Sequence, residues 1–199
     1  MLDPAHGGTD EGAHGSGSIV EKDVTLVLAE AIRARVLRDG WQVLMTRQGD
    51  DTLSFAQRAA MANAQAHAIF LTLHVGSSGA AGTAYACYYD FGQLAEATPP
   101  VAGGLLSWET AQRPWEPYSR RLAQLVQGEL ATRLPGSSEQ PAGAPLYQLR
   151  AIDEPAIAVE LENVNAADEG ALTALAAPLA GAIAHALVAF RASYAAEVH

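Results

Sequence analysis

A single cysteine, Cys87, is the first scarcity in this chain of 199 residues. It excludes an internal disulfide and any zinc site built from several thiolates, and leaves Cys87 as a small core residue. Cations are scarce as well: 12 Lys and Arg stand against 22 Asp and Glu, a net charge of −10. Nucleic acids and anionic membrane surfaces are bound by clustered Lys and Arg, so neither is expected as a partner. Long hydrophobic runs are also missing. The most apolar stretch, residues 174–190, is Ala-rich, carries Pro178 and His185, and is too short and weakly hydrophobic to be expected to span a membrane. No export signal is visible. Only Met1 and Leu2 precede the Asp3-Pro4-Ala5-His6 loop. A buried strand needs roughly four to eight residues, so the chain is expected to be excised from a longer, exported protein.

What is present suits one globular domain, expected as a monomer: 49% of residues are apolar and 17% charged. After a Gly-rich loop, residues 21–39 place Val24, Val27, Leu28, Ala31, Ile32 and Val36 near one helical face, with Gly40 as the stop. Residues 41–46 read as a strand, and Ser54-Phe55-Ala56-Gln57 is a capping-box pattern opening a helix to about Ala64. Residues 68–73 form a continuous apolar run of the kind buried on both faces of a sheet, with His74 at its end. Residues 83–89 are a further strand candidate. Residues 90–117 read as an irregular insertion with at most a short helix near 104–111. An amphipathic helix over 119–134, a short strand over 146–149, an apolar strand over 156–161, a short helix near 168–175 and a long helix opened by Pro178 complete the chain. This alternation predicts an α/β fold: a twisted, mostly parallel sheet of about six strands with helices on both faces.

In such sheets the functional crevice lies beyond the carboxyl ends of the strands. His6, His74 and Glu160 fall at or just after predicted strand ends, and Glu21 opens a helix beside them. Two imidazoles and a carboxylate are a common ligand set for catalytic zinc, which keeps a fourth position open. A further carboxylate can then take and return the water proton, and Glu160, in the otherwise apolar Ile157-Ala158-Val159, suits that role. The plain alternative is a set of unrelated polar residues at loop edges.

Leu2-Asp3-Pro4-Ala5-His6-Gly7-Gly8 followed by Glu21-Lys22-Asp23 resembles the opening motif of the zinc-dependent N-acetylmuramoyl-L-alanine amidases of the type-3 family. The likeness continues through Thr46-Arg47, Arg58 to Asn63, Phe70 to His74, Pro145 to Arg150 and Pro155 to Leu161, in the family's order. It implies one Zn²⁺ held by His6, Glu21 and His74, Glu160 as the catalytic carboxylate, and an α/β fold. It also implies cleavage of the amide between N-acetylmuramic acid and L-alanine of peptidoglycan or muropeptides, outside the cytoplasm in periplasm or cell wall; an activator protein is a candidate partner, and the sequence leaves the need for one open. Ala5 replaces the usual Gly. His74-Val75-Gly76 stands where His-Ala-Asn is frequent, and Glu162 is a rival to Glu160.

The rival readings are a zinc peptidase cutting within the stem peptide and a catalytically inactive wall-binding or regulatory domain. Arg47 is a candidate for orienting substrate or buttressing the site, and His14 for touching substrate from the Gly-rich loop. Arg58 and Asn63, five apart, default to packing. Trp108, Trp115 and Tyr118 form either a substrate wall or a small core of the insertion. Some family members cover the zinc with a helix that donates a carboxylate, and Glu96 or Glu109 are the candidates for it here.

Overall fold

The computed structural model describes residues 1–93, 108–164 and 169–197. Its strands are β1 (Leu2–Pro4), β2 (Phe70–Val75), β3 (Ala84–Tyr89), β4 (Ala142–Ala144) and β5 (Ala156–Leu161); its helices are α1 (Glu21–Leu37), α2 (Phe55–Asn63), α3 (Glu116–Arg133), α4 (Glu169–Ala174) and α5 (Ala176–Glu197). The five strands form one sheet in the order β1-β2-β5-β3-β4, with β3 antiparallel to β5 and every other pair parallel.

Five strands rather than about six follow from residues 41–46, which do not form a strand. They touch β1 through one isolated bridge, Leu2 to Met45, whereas β1 makes three rungs with β2 on its other side. The strand predicted over 146–149 is also corrected. That stretch turns, and β4 lies earlier, in Ala142-Gly143-Ala144, where no apolar pattern announces it. The capping box at Ser54 forms with Gln57 as the sequence requires. The insertion contains 3-10 turns at Phe91–Gln93, Trp108–Thr110 and Arg113–Trp115. Glu96 lies outside the described residues.

The two faces of the sheet differ in thickness. Leu71, Leu73 and Val75 of β2, Ile157, Val159 and Leu161 of β5, and Ala84, Ala86 and Tyr88 of β3 pack with α1, α3 and α5 in one large core. The other face is covered by α2 and the turns at 146–152, with Phe70, Cys87, Tyr89, Ala156 and Ala158 beneath them. The segment Gly170–Tyr194 is long and apolar enough to cross a membrane by length and composition. Here Leu179, Ile183, Leu187 and Phe190 are buried in the large core, so α5 spends its apolar surface against α1 and α3. Trp115, Tyr118, Tyr194 and Phe190 form a chain of ring contacts that fastens the end of the insertion to α5.

Candidate active site

Side chains alternate across a strand, so the residues of β2, β5 and β3 that are not in the large core must face the thin side. His74, Glu160 and Tyr85 are such residues, and the register places His74 opposite Glu160 and Glu160 opposite Tyr85. Strands lie about 4.8 Å apart, which makes these three a continuous polar row at the carboxyl end of the sheet.

His6 reaches the same end from the loop after β1, and Glu21 from the first turn of α1. Glu21 is only 5% exposed, and both its oxygens are engaged. Oε2 accepts from the amide of Ala13 at 2.8 Å and lies 3.1 Å from His6 Nε2. Oε1 accepts from the amide of Val75 at 2.9 Å and lies 3.1 Å from His74 Nδ1. Burial pushes the Glu21 carboxyl up, but the two histidines and the two amides outweigh it and hold it below the usual carboxylate range. Hydrogen bonding to Glu21 raises His6, against the opposing effect of burial.

One ligand atom from each of His6, Glu21 and His74 lies within 4.8 Å of the others, a set that could hold a metal ion. The outward-facing ring nitrogens also have neighbours that orient the imidazoles. His6 Nδ1 lies 2.9 Å from Asp10 Oδ1, near enough for an ion pair but without hydrogen-bond geometry. His74 Nε2 lies 3.4 Å from Thr72 Oγ1. Two imidazole nitrogens turned onto one ionised carboxylate, each ring backed by an outer group, fit a divalent transition metal. The cluster opens on a cavity of about 210 Å³ lined by His6, Asp10, Ser54, Phe55, Arg58 and His74.

Two glycines make the approach close enough. A Cβ on Gly12, whose φ is +69°, would lie 2.6 Å from Glu21 Oε2. A Cβ on Gly76 would lie 2.6 Å from Glu160 Oε1, so the departure from Asn at this position gives the Glu160 carboxylate its room. Burial pushes Glu160 above the usual carboxylate range, with Glu21 and Glu162 adding to it and His74 and Tyr85 opposing it. A carboxyl held there exchanges protons more readily near neutral pH. Glu162, the rival, turns to the loop after β2, where its Oε2 accepts from the amide of Ala80 at 3.2 Å. Burial, with the nearby Glu160 charge, pushes the Cys87 thiol up to about 12, as befits an inert core residue.

Arg47 buttresses the site from beneath. It is 3% exposed and donates to the carbonyls of Pro4, Ala5, Lys22 and Gly49. Arg58, expected only to pack, does more: it bonds Asp3 Oδ1 at 2.5 Å and the carbonyl of His6 at 2.6 Å. His6 has a φ of +62°, an uncommon value for a non-glycine residue, and Arg58 holds that peptide in place. Lys22 donates to the carbonyl of Gly8 at 2.8 Å and pairs with Asp50. Asn63 binds the backbone of Ala151 and Asp153. The sequence assigns Arg58 only a packing role and gives Lys22 and Tyr85 none, because their partners are distant in the chain. The parity of Tyr85 with Cys87 and Tyr89 in one strand was the one available signal.

His14 is exposed and pairs with Glu11 at 3.2 Å. Glu109 pairs with Arg150 at 3.4 Å and is not among the converging metal donors.

The sequence profile described as N-acetylmuramoyl-L-alanine amidase, type 3, matches residues 1–189. The N-acetylmuramoyl-L-alanine amidase CwlM of Bacillus licheniformis is 39% identical over 84 residues, which is 41% of this chain and 33% of that protein. The chain thus covers about a third of that relative's length. An N-acetylmuramoyl-L-alanine amidase from Clostridium difficile 630 superposes with a TM-score of 0.73 at 20% identity, covering 96% of this chain and 95% of that one. The CwlD amidase of Clostridioides difficile, solved in complex with the GerS lipoprotein, gives 0.73 at 19% identity, covering 96% of this chain and 97% of that one. With nearly its whole length matched by that profile, the chain belongs to the N-acetylmuramoyl-L-alanine amidase family of type 3.

Proposed function

We propose that this protein is a zinc-dependent hydrolase that cleaves the amide joining the lactyl group of N-acetylmuramic acid to L-alanine of the peptidoglycan stem peptide. The observation that carries the reading is the convergence of His6, Glu21 and His74, with Glu160 facing His74 across paired strands, in a chain of this family.

His6 Nε2, His74 Nδ1 and a Glu21 oxygen would hold the ion. When bound, it would polarise the amide carbonyl and bring the pKa of a water toward neutrality. Glu160 accepts the proton of the attacking water on its carboxylate and delivers it to the nitrogen of L-alanine as the C–N bond breaks, leaving a lactyl carboxylate and a free amine. Asp10 and Thr72 keep the imidazoles turned toward Glu21, and Arg58 fixes the backbone that carries His6. Such a reaction takes place outside the cytoplasm, in periplasm or wall. An accessory protein as activator is part of the same reading, favoured by the relative solved with a lipoprotein.

The test is digestion of purified peptidoglycan with added zinc or with chelator, followed by mass spectrometry. Glycan chains bare of peptide, formed with zinc and lost with chelator, are the expected products. Fragments cut within the stem peptide, or equal turnover by wild type and Glu160→Gln, would reject the proposal.

A further inference from the structure

Of the seven exposed large hydrophobic residues among the described ones, two meet beside the candidate site. Phe55, 49% exposed, lines the cavity, and Tyr147, 55% exposed, packs against it with ring centroids 5.5 Å apart. Their planes meet at 61°, which makes a corner rather than a flat platform. The Arg150 guanidinium lies 3.8 Å from the Tyr147 ring centroid. From Phe55 in the cavity wall the contacts thus run outward to Tyr147 and end in a cation.

This arrangement selects among ligands. Arg150 lies over the Tyr147 ring and Phe55 meets that ring at an angle, so the feature that sets this corner apart from a plain aromatic platform is its cation. A guanidinium lying on an aromatic ring keeps its N–H donors directed outward in its own plane, the geometry that receives a carboxylate. A carboxylate is already there: Glu109 Oε1 lies 3.4 Å from Arg150 Nη2. The Glu109 side chain is 66% exposed, and an ion pair with so exposed a partner is weak enough for another carboxylate to displace. In a chain with ten more acidic than basic residues, −10 overall, a cation beside the cavity is a specific attraction for an anionic group.

We propose that Arg150, laid on Tyr147, recognises a free carboxylate of the peptide arm of the substrate, and that Glu109 holds that carboxylate's place in the free protein. This rests on the amidase reading for the identity of the ligand, since a peptide arm beginning at L-alanine is what leaves the site. Arg150 acts in binding, so it sets KM rather than the rate of bond breaking.

The experiment measures binding apart from turnover. Two short peptides that begin with L-alanine are titrated calorimetrically, one with an acidic second residue and the other with that carboxylate converted to a carboxamide. Wild type is expected to prefer the acid by roughly ten- to a hundredfold in Kd, the range for a charge-assisted hydrogen bond. Arg150→Gln loses the preference, Arg150→Lys keeps part of it, and Glu109→Gln binds the acid several-fold more tightly. Equal Kd for acid and amide in wild type, or an unchanged Kd in Glu109→Gln, overturns the proposal. Preference in binding without any hydrolysis of muramyl peptides would reject the amidase reading and leave the carboxylate site standing.

Discussion

The two ends of the sheet make an instructive pair. The amino end carries the larger cavity, about 390 Å³, lined by Trp41, Val43, Leu44, Ile69, Leu71 and Leu187. The carboxyl end carries the smaller one, about 210 Å³, with His6, His74, Asp10 and Arg58 in its wall. Strand β5 joins the two ends, and a glutamate whose carboxyl burial pushes upward stands near each: Glu154 just before the strand and Glu160 near its end. Glu154 accepts from the amide of His67 at 2.9 Å, and its Oε2 is buried without a partner. Glu160 instead stands opposite an imidazole and a tyrosine, His74 and Tyr85. Volume and a raised pKa are therefore common to both ends, and converging donors distinguish only one.

The largest expected effect breaks this pair apart. Glu160→Gln should lower peptidoglycan turnover by about 10²–10⁴-fold, the usual contribution of a general base, with bound zinc unchanged. Glu154→Gln should leave turnover within about twofold. Comparable losses in the two variants, read by release of glycan chains, would erase the distinction. Next, Arg58→Ala strands Asp3 as a buried charge, frees the His6 carbonyl and should cost about 3–5 kcal/mol. Denaturant unfolding measures the stability, and metal analysis should show weakened zinc retention, an effect no amino-end variant shares. Leu187→Ala, in the wall of the amino-end cavity, should cost about 2–5 kcal/mol and leave the turnover of the folded protein unchanged. Reduced kcat at a temperature where it is fully folded would show the amino end to be coupled to the chemistry.

A subtler test uses pH. Burial raises the Glu154 carboxyl above its unfolded value, so its stabilising contribution is complete below the ordinary glutamate value of about 4.3 and fades as pH rises through the folded value. The stability of wild type relative to Glu154→Gln should therefore decline from acid to neutral pH. A difference that stays flat or grows rejects burial as the governing cause. The smallest effect is Ser54→Ala, which removes one half of the capping box of α2 and should cost about 1 kcal/mol by thermal unfolding.

The parts of the fold readable in advance are those whose signal is local. The apolar run at 156–161 became β5 with its predicted bounds, and α1 and α2 came within two residues of theirs, because burial periodicity and caps act over a few neighbours. Residues 41–46 read as a strand because their composition suits one, yet a strand exists only where a ladder forms, and these residues make a single bridge to β1. The strand β4 was illegible because Ala-Gly-Ala carries no pattern and is held by its neighbour β3 alone.

The candidate site divides in the same way. By itself the sequence determined that a histidine stands in a glycine-rich loop, that a glutamate opens a helix, and that a histidine and a glutamate lie near the ends of apolar strands. Their chemical types and their places at element ends are local facts. Only the tertiary structure decided that His74, Glu160 and Tyr85 share one row, that His6, His74 and the amides of Ala13 and Val75 together hold Glu21 ionised, and that Arg58 supports His6 from 52 residues away. Those relations depend on strand order, register and the packing of α2 on the thin face. They join residues whose mutual positions no local periodicity encodes.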